Sequence, residues 1–206
     1  MSPTSDIFKT HYTDYLNQIG QVAPETVSEI LGIETEGNAF YIPFMGAVYE
    51  VSPKGITDLT GKRPGYVTCV ILARYILNSP DELHRDDQWV SFRDFRQTSH
   101  FTNVNYFASD TELKISGRFS GKLSELKAAC DKAGGVPEAT DMPYDLAVSF
   151  RVLPRIGMLL LFNDRDEEFP AQCNVLFHRH SEFYLDPESL AMAGAVLAKT
   201  LCDKTA

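Results

Sequence analysis

Four carboxylates, Asp164, Asp166, Glu167 and Glu168, crowd the stretch that follows the apolar run "GMLLLFN". Carboxylates packed this closely at a strand end raise one another's pKa or hold a hard cation such as magnesium through oxygen ligands, and otherwise form a solvated turn. Ten residues further on, His178 and His180 flank Arg179. On an extended strand alternate residues share a face, so the two imidazoles would point the same way and could ligate a transition metal. A third ligand would have to come from His84, His100 or the acid-rich turn. Two histidines without one leave an exposed strand end as the plainer expectation.

Arginine supplies the opposite charge. Arg151 and Arg155 bracket Pro154, and Arg93 and Arg96 lie beside Trp89 and Phe95. A guanidinium next to an aromatic face suits a carboxylate or phosphate ligand, whereas a guanidinium near acids forms ordinary ion pairs. The sequence suggests a clamp: Phe169 and Pro170 anchor the acid-rich turn and draw Asp164, Glu167 or Glu168 inward against Arg151 or Arg155. The candidate ligand-binding residues are thus Arg151, Arg155, Arg93, Trp89, Asp164, Glu167 and Glu168, with His178 and His180 as the metal alternative.

The chain lacks G-x-G-x-x-G, a P-loop, G-x-S-x-G and H-E-x-x-H, so the enzyme classes built on them are disfavoured. Cys69, Cys130, Cys173 and Cys202 are widely separated and form no C-x-x-C pair. Cysteines inside apolar segments are expected to be small core residues, and no closed four-ligand site arises, so no stoichiometric zinc or iron is expected.

These residues have to be positioned by elements with readable periods. Residues 6–18 place Phe8, Tyr12, Tyr15 and Leu16 on one helical face. Residues 24–31 form a short helix with Pro24 in its first turn and Gly32 as a left-handed stop. "AFYIPF" and "AVYEVS" across Met45-Gly46 predict a hairpin with Pro43 at an edge or bulge, and "GITDLTGK" a further short strand. Residues 66–78 are apolar nearly all round and predict a buried central helix. Residues 79–105 show no sustained period and are expected to be an irregular insertion. A helix follows over 121–133. "LAVSFRVL", "GMLLLFN" and "CNVLFHR" then predict an antiparallel meander, since turn-length links forbid parallel crossovers. Asp186, Pro187 and Glu188 open a terminal helix reaching about Cys202. The class is α+β, helices on antiparallel sheet, in a single domain over 1–206.

Bulk properties narrow the setting. The 206 residues carry a formal charge of −9, and no dense basic run is present, which argues against nucleic acid as a partner. The N-terminus has no secretory pattern and no apolar run approaches a membrane span, so a cytoplasmic protein is expected.

The pieces "VILARYIL", "WVSFRDF", "LPRIGMLLLFNDRDEEFPAQCNVLF" and "YLDPESLAMAGAVLAKTL" resemble a domain-of-unknown-function family of anaerobic bacteria and archaea. The D-x-D-E-E-F-P-A segment, Asp164 to Ala171, is the most specific of them. Some members of that family look fused to iron–sulfur modules of the corrinoid iron–sulfur protein type, which implies a cofactor-linked or redox-linked role and an iron–sulfur or corrinoid partner protein. That module is missing here. The family pattern has an acid where this chain has His178, so the paired histidines look peculiar to this chain. The functional expectation is a binding or accessory module for a small anionic ligand or cofactor. The alternatives are a metal-assisted hydrolase or lyase using the acid-rich turn, and a protein-interaction module without a ligand.

Overall fold

The computed structural model describes residues 3–95 and 103–203. It has the expected α+β architecture, with two antiparallel sheets and a C-terminal strand run followed by a terminal helix. Helix α1 (Pro3–Ile19) packs on α3 (Tyr66–Leu77), and α2 (Pro24–Leu31) ends at Gly32, whose φ of 69° is the left-handed cap that glycine adopts at least cost. Most of α3 is buried, including Cys69, Ile71, Leu72, Tyr75 and Ile76.

The first sheet has the order β1 (Glu34–Glu36), β2 (Ala39–Phe44), β3 (Ala47–Ser52), β4 (Gly55–Asp58). Met45 (φ 50°) and Gly46 (φ 79°) are both left-handed, the combination that a two-residue hairpin needs. Phe44 and Ala47 close that hairpin as a hydrogen-bonded pair, so by alternation position 43 faces away from β3. β1 ends opposite Tyr41, and the missing N–H of Pro43 therefore removes no ladder bond.

The second sheet has the order β5 (Trp89–Ser91), β9 (Gln172–His178), β8 (Ile156–Asn163), β7 (Leu146–Leu153), β6 (Val136–Pro137). Its inner face carries Val148, Phe150, Met158, Leu160, Phe162, Cys173, Val175 and Phe177 into a core shared with the first sheet and the helices. The register slips between Arg151 and Leu153, leaving Val152 as an extra residue, and the Val152 carbonyl accepts the Met45 N–H (3.1 Å), which ties the two sheets together.

Two segments differ from the sequence expectation. Residues 79–105 are not wholly irregular: β5 is a three-residue edge strand, too short to display a period. Arg96 and His100 lie outside the described residues. A helix also runs over residues without a readable period, as α4 (Asn103–Phe107), a π turn (Ala108–Glu112) and α5 (Leu113–Phe119). Its buried stripe is Phe107, Thr111, Ile115 and Phe119. The threonine interrupts the apolar pattern and the π turn shifts its phase, which hides the helix from a periodicity reading. Helix α6 (Leu123–Lys132) follows. Helix α7 (Pro187–Asp203) is capped as expected: Asp186 accepts the Ser189 N–H and hydroxyl, both at 2.9 Å. Cys69, Cys130 and Cys173 are buried free thiols, and burial pushes Cys130 up to about 12. Among the described residues no helix is long and apolar enough to cross a membrane.

Candidate functional site

The acid-rich turn does not form the clamp. One Asp164 carboxylate oxygen accepts the N–H groups of Gly121 (2.6 Å) and Arg165 (2.8 Å). Asp166 accepts those of Glu168 (2.8 Å) and Phe169 (2.7 Å), and these bonds hold its carboxyl below the usual carboxylate range. Glu167 and Glu168 are exposed, and Phe169, the expected anchor, is 60% exposed. Arg155 bonds instead to the carbonyls of Ile30 (2.9 Å) and Glu29 (2.7 Å) near the end of α2, where a cation suits the helix dipole. Its own N–H is received by the buried Tyr75 hydroxyl (3.1 Å), which donates to the Leu31 carbonyl (2.7 Å).

The acid held against the meander is Glu112, from the π turn. Its carboxylate accepts the Val175 N–H (3.1 Å) just past the end of β5, where β9 has lost its strand partner. Burial raises the Glu112 pKa, against the opposing pull of the Val175 N–H and of the nearby Arg93 charge. Arg93 is thus within electrostatic reach of Glu112 and is not among the residues lining the cleft described next.

The outer face of the second sheet gathers residues that the sequence scatters. Arg151 pairs with Gly157, and Trp89 pairs with His178. Extending the β8–β9 register one step beyond Met158–Phe177 sets Gly157 beside His178, so Arg151, Gly157, His178 and Trp89 form one row across four strands. The His178 ring stacks on the Trp89 indole (centroids 4.0 Å apart) and lies over Gly157, where an added Cβ would come within 2.6 Å of the imidazole. Burial, reinforced by the His180 neighbour, keeps the His178 pKa below the ordinary imidazole value despite the carboxylates of Asp87 and Glu138.

His180 lies past the strand end, in the 3₁₀ turn Arg179–Phe183, and is 5% exposed. Its Nε2 is 2.9 Å from the Arg155 carbonyl oxygen, a contact that only a donor satisfies. Its Nδ1 faces both backbone groups of Asp86, the carbonyl oxygen at 2.8 Å and the N–H at 3.0 Å; a proton on Nδ1 serves the first and a lone pair the second. Further bonds fasten the segment before Trp89 along this turn. Arg179 N–H donates to the Gln88 carbonyl (2.9 Å), the Tyr184 hydroxyl bonds both backbone groups of His84 (3.0 Å each), and the His84 ring stacks on Phe183.

Together these elements enclose a cleft of about 790 Å³, with Arg85, Asp87, Trp89, Arg151, His178 and His180 among its lining residues. Of the residues singled out in the sequence, Arg151, Arg155, Trp89 and both histidines therefore meet at one place. Asp164 borders a separate, smaller recess of about 360 Å³. Asp87 and Arg85 were missed. Only the Trp89–His178 strand register, a long-range pairing, could have drawn them in.

No curated protein and no solved structure matches the chain. A family model described as a domain of unknown function, DUF3786, matches residues 23–200, a span that runs from before α2 into α7 and includes every residue of the cleft. The chain belongs to the DUF3786 family.

Proposed function

We propose that this domain binds a small anionic ligand in the cleft on the outer face of the second sheet. The carrying observation is the cross-strand row, which sets the exposed Arg151 and the flat Trp89–His178 stack on the same cleft, with Arg85 also among the lining residues. A guanidinium beside an aromatic wall favours a planar carboxylate or a phosphate, and in a chain of net charge −9 these arginines are local counter-charges for such a ligand. Arg155 contributes by holding the β7–β8 turn, since its guanidinium is committed to α2. We further propose, from the resemblance noted in the sequence, that it is an accessory domain serving an iron–sulfur or corrinoid partner protein in anaerobic redox metabolism. A hydrolase or lyase built on the acid-rich turn is less well supported, because Asp164 and Asp166 spend oxygens on backbone N–H groups.

Trp89 is the only tryptophan in the chain, so its fluorescence reports on the cleft directly. Titration with inorganic phosphate, pyrophosphate and acetate is expected to change Trp89 emission at saturable concentration. Arg151→Ala and Arg85→Ala should each weaken the responding anion about tenfold, the size of one charge-assisted hydrogen bond. Anions that leave the emission and the melting temperature unchanged at millimolar concentration, or arginine variants that bind like the parent, would overturn the proposal.

A further inference from the structure

One wall of the cleft carries ligand atoms that the anion reading does not use. Asp87, His178 and His180 each present one, and the three atoms lie within 4.8 Å of one another. Asp87 Oδ1 is 4.0 Å from His178 Nδ1 and 3.7 Å from His180 Nδ1. We propose that Asp87, His178 and His180 form a three-ligand site for a first-row divalent transition metal ion, with its remaining coordination positions open to the cleft.

The chemistry of the set selects the class. Two imidazoles and one carboxylate suit zinc, ferrous iron, cobalt or manganese, and three protein ligands leave room for water or a ligand oxygen. Thiols play no part, since the buried cysteines are absent from this group.

The two imidazoles are held in place before any metal arrives. His178 is fixed between the Trp89 indole and the bare backbone of Gly157. With its proton on Nε2, His180 donates to the Arg155 carbonyl, the outer-sphere bond that orients a ligating imidazole, and Nδ1 carries the lone pair that ligates. Ligands about 2.0–2.2 Å from a shared ion sit closer together than these atoms do, so the site must contract. The movable member is Asp87, whose side chain is 80% exposed. Contraction exchanges the contacts of His180 Nδ1 with the Asp86 N–H and carbonyl for a metal–nitrogen bond. Asp86 and Asp87 are adjacent, so one displacement of this segment both frees the nitrogen and brings in the carboxylate. The expectation of no stoichiometric metal rested on cysteine and histidine spacing alone. Asp87 supplies the third ligand it lacked.

The test uses the full chain, stripped with a chelator, desalted, and titrated with Co²⁺ and then Zn²⁺. One Co²⁺ per chain should bind, with visible d–d absorption that Zn²⁺ displaces. Asp87→Asn and His178→Ala should each weaken binding at least about tenfold while keeping the parent's far-UV circular dichroism. His84→Ala, which removes another imidazole from the same cleft, should bind as the parent does. The proposal is overturned if neither ion binds more tightly than about millimolar, or if Asp87→Asn and His178→Ala take up metal like the parent. Inorganic phosphate is titrated into the metal-free and the metal-loaded chain in parallel. Metal uptake with no phosphate binding in either state supports this site and removes the anion reading. Phosphate binding to the metal-free chain with no metal uptake does the reverse.

Discussion

The acid-rich turn at 164–168 and the row Arg151–Gly157–His178–Trp89 start from similar material: charged or ionisable side chains at the ends of apolar strands. They end differently. In the turn, Asp164 and Asp166 find backbone N–H groups close by, mostly within three residues, and Glu167 and Glu168 stay in water. In the row, each member comes from a different strand, and His178 is held by Trp89 far along the chain, as the neighbouring His180 is by Asp86 and Arg155. Density of charge in a sequence thus marks a locally satisfied turn as readily as a site. A cleft needs groups whose partners are non-local, because only these become desolvated together.

The sharpest break of this contrast is His180→Ala. It empties a buried volume and strands the Arg155 carbonyl and the Asp86 N–H. The expected loss is about 3 to 4 kcal/mol in urea unfolding, accompanied by faster proteolysis at 84–88. A loss comparable to that of an exposed acid would mean that the two regions do not differ in kind.

Gly157→Ala comes next. The new Cβ would meet the His178 ring at 2.6 Å, and the ring can leave only by abandoning Trp89. A cost of about 1 to 3 kcal/mol is expected, with red-shifted Trp89 emission as the stack opens. Unchanged emission would place the flexibility elsewhere.

Glu112→Gln compares a buried acid with the exposed ones. Burial raises the Glu112 pKa, so the folded state favours its protonated form. The stability it contributes is fully present below the ordinary carboxylate value and is lost as pH rises through the raised one. Gln keeps an oxygen for the Val175 N–H without the charge. The variant should therefore unfold at higher urea than the parent at pH 7, and its advantage should vanish toward pH 4. A parent more stable at pH 7 would show that the Arg93 charge outweighs burial.

The smallest effects belong to Glu167→Gln and Glu168→Gln, each expected within about 0.5 kcal/mol of the parent at pH 7. Unfolding midpoints measured side by side with His180→Ala complete the series. A large loss in either would revive the clamp.

Features set by short-range chemistry were legible without coordinates. The Met45-Gly46 hairpin, the Gly32 stop, the Asp186 cap and the buried helix α3 follow from φ preferences, hydrogen-bond donors and apolar periods within a few residues. The sequence by itself also determined which side chains were able to do chemistry, and it named the pair His178 and His180, Arg151 and Trp89 without joining them to one another. Their meeting was decided by tertiary structure, because strand register couples positions far apart in sequence and one slip of a residue turns every side chain to the other face. The same holds for Asp87, for the Glu112 bond to Val175 and for the helix over 103–119, whose threonine and π turn conceal its stripe until packing against α7 and β9 exposes it.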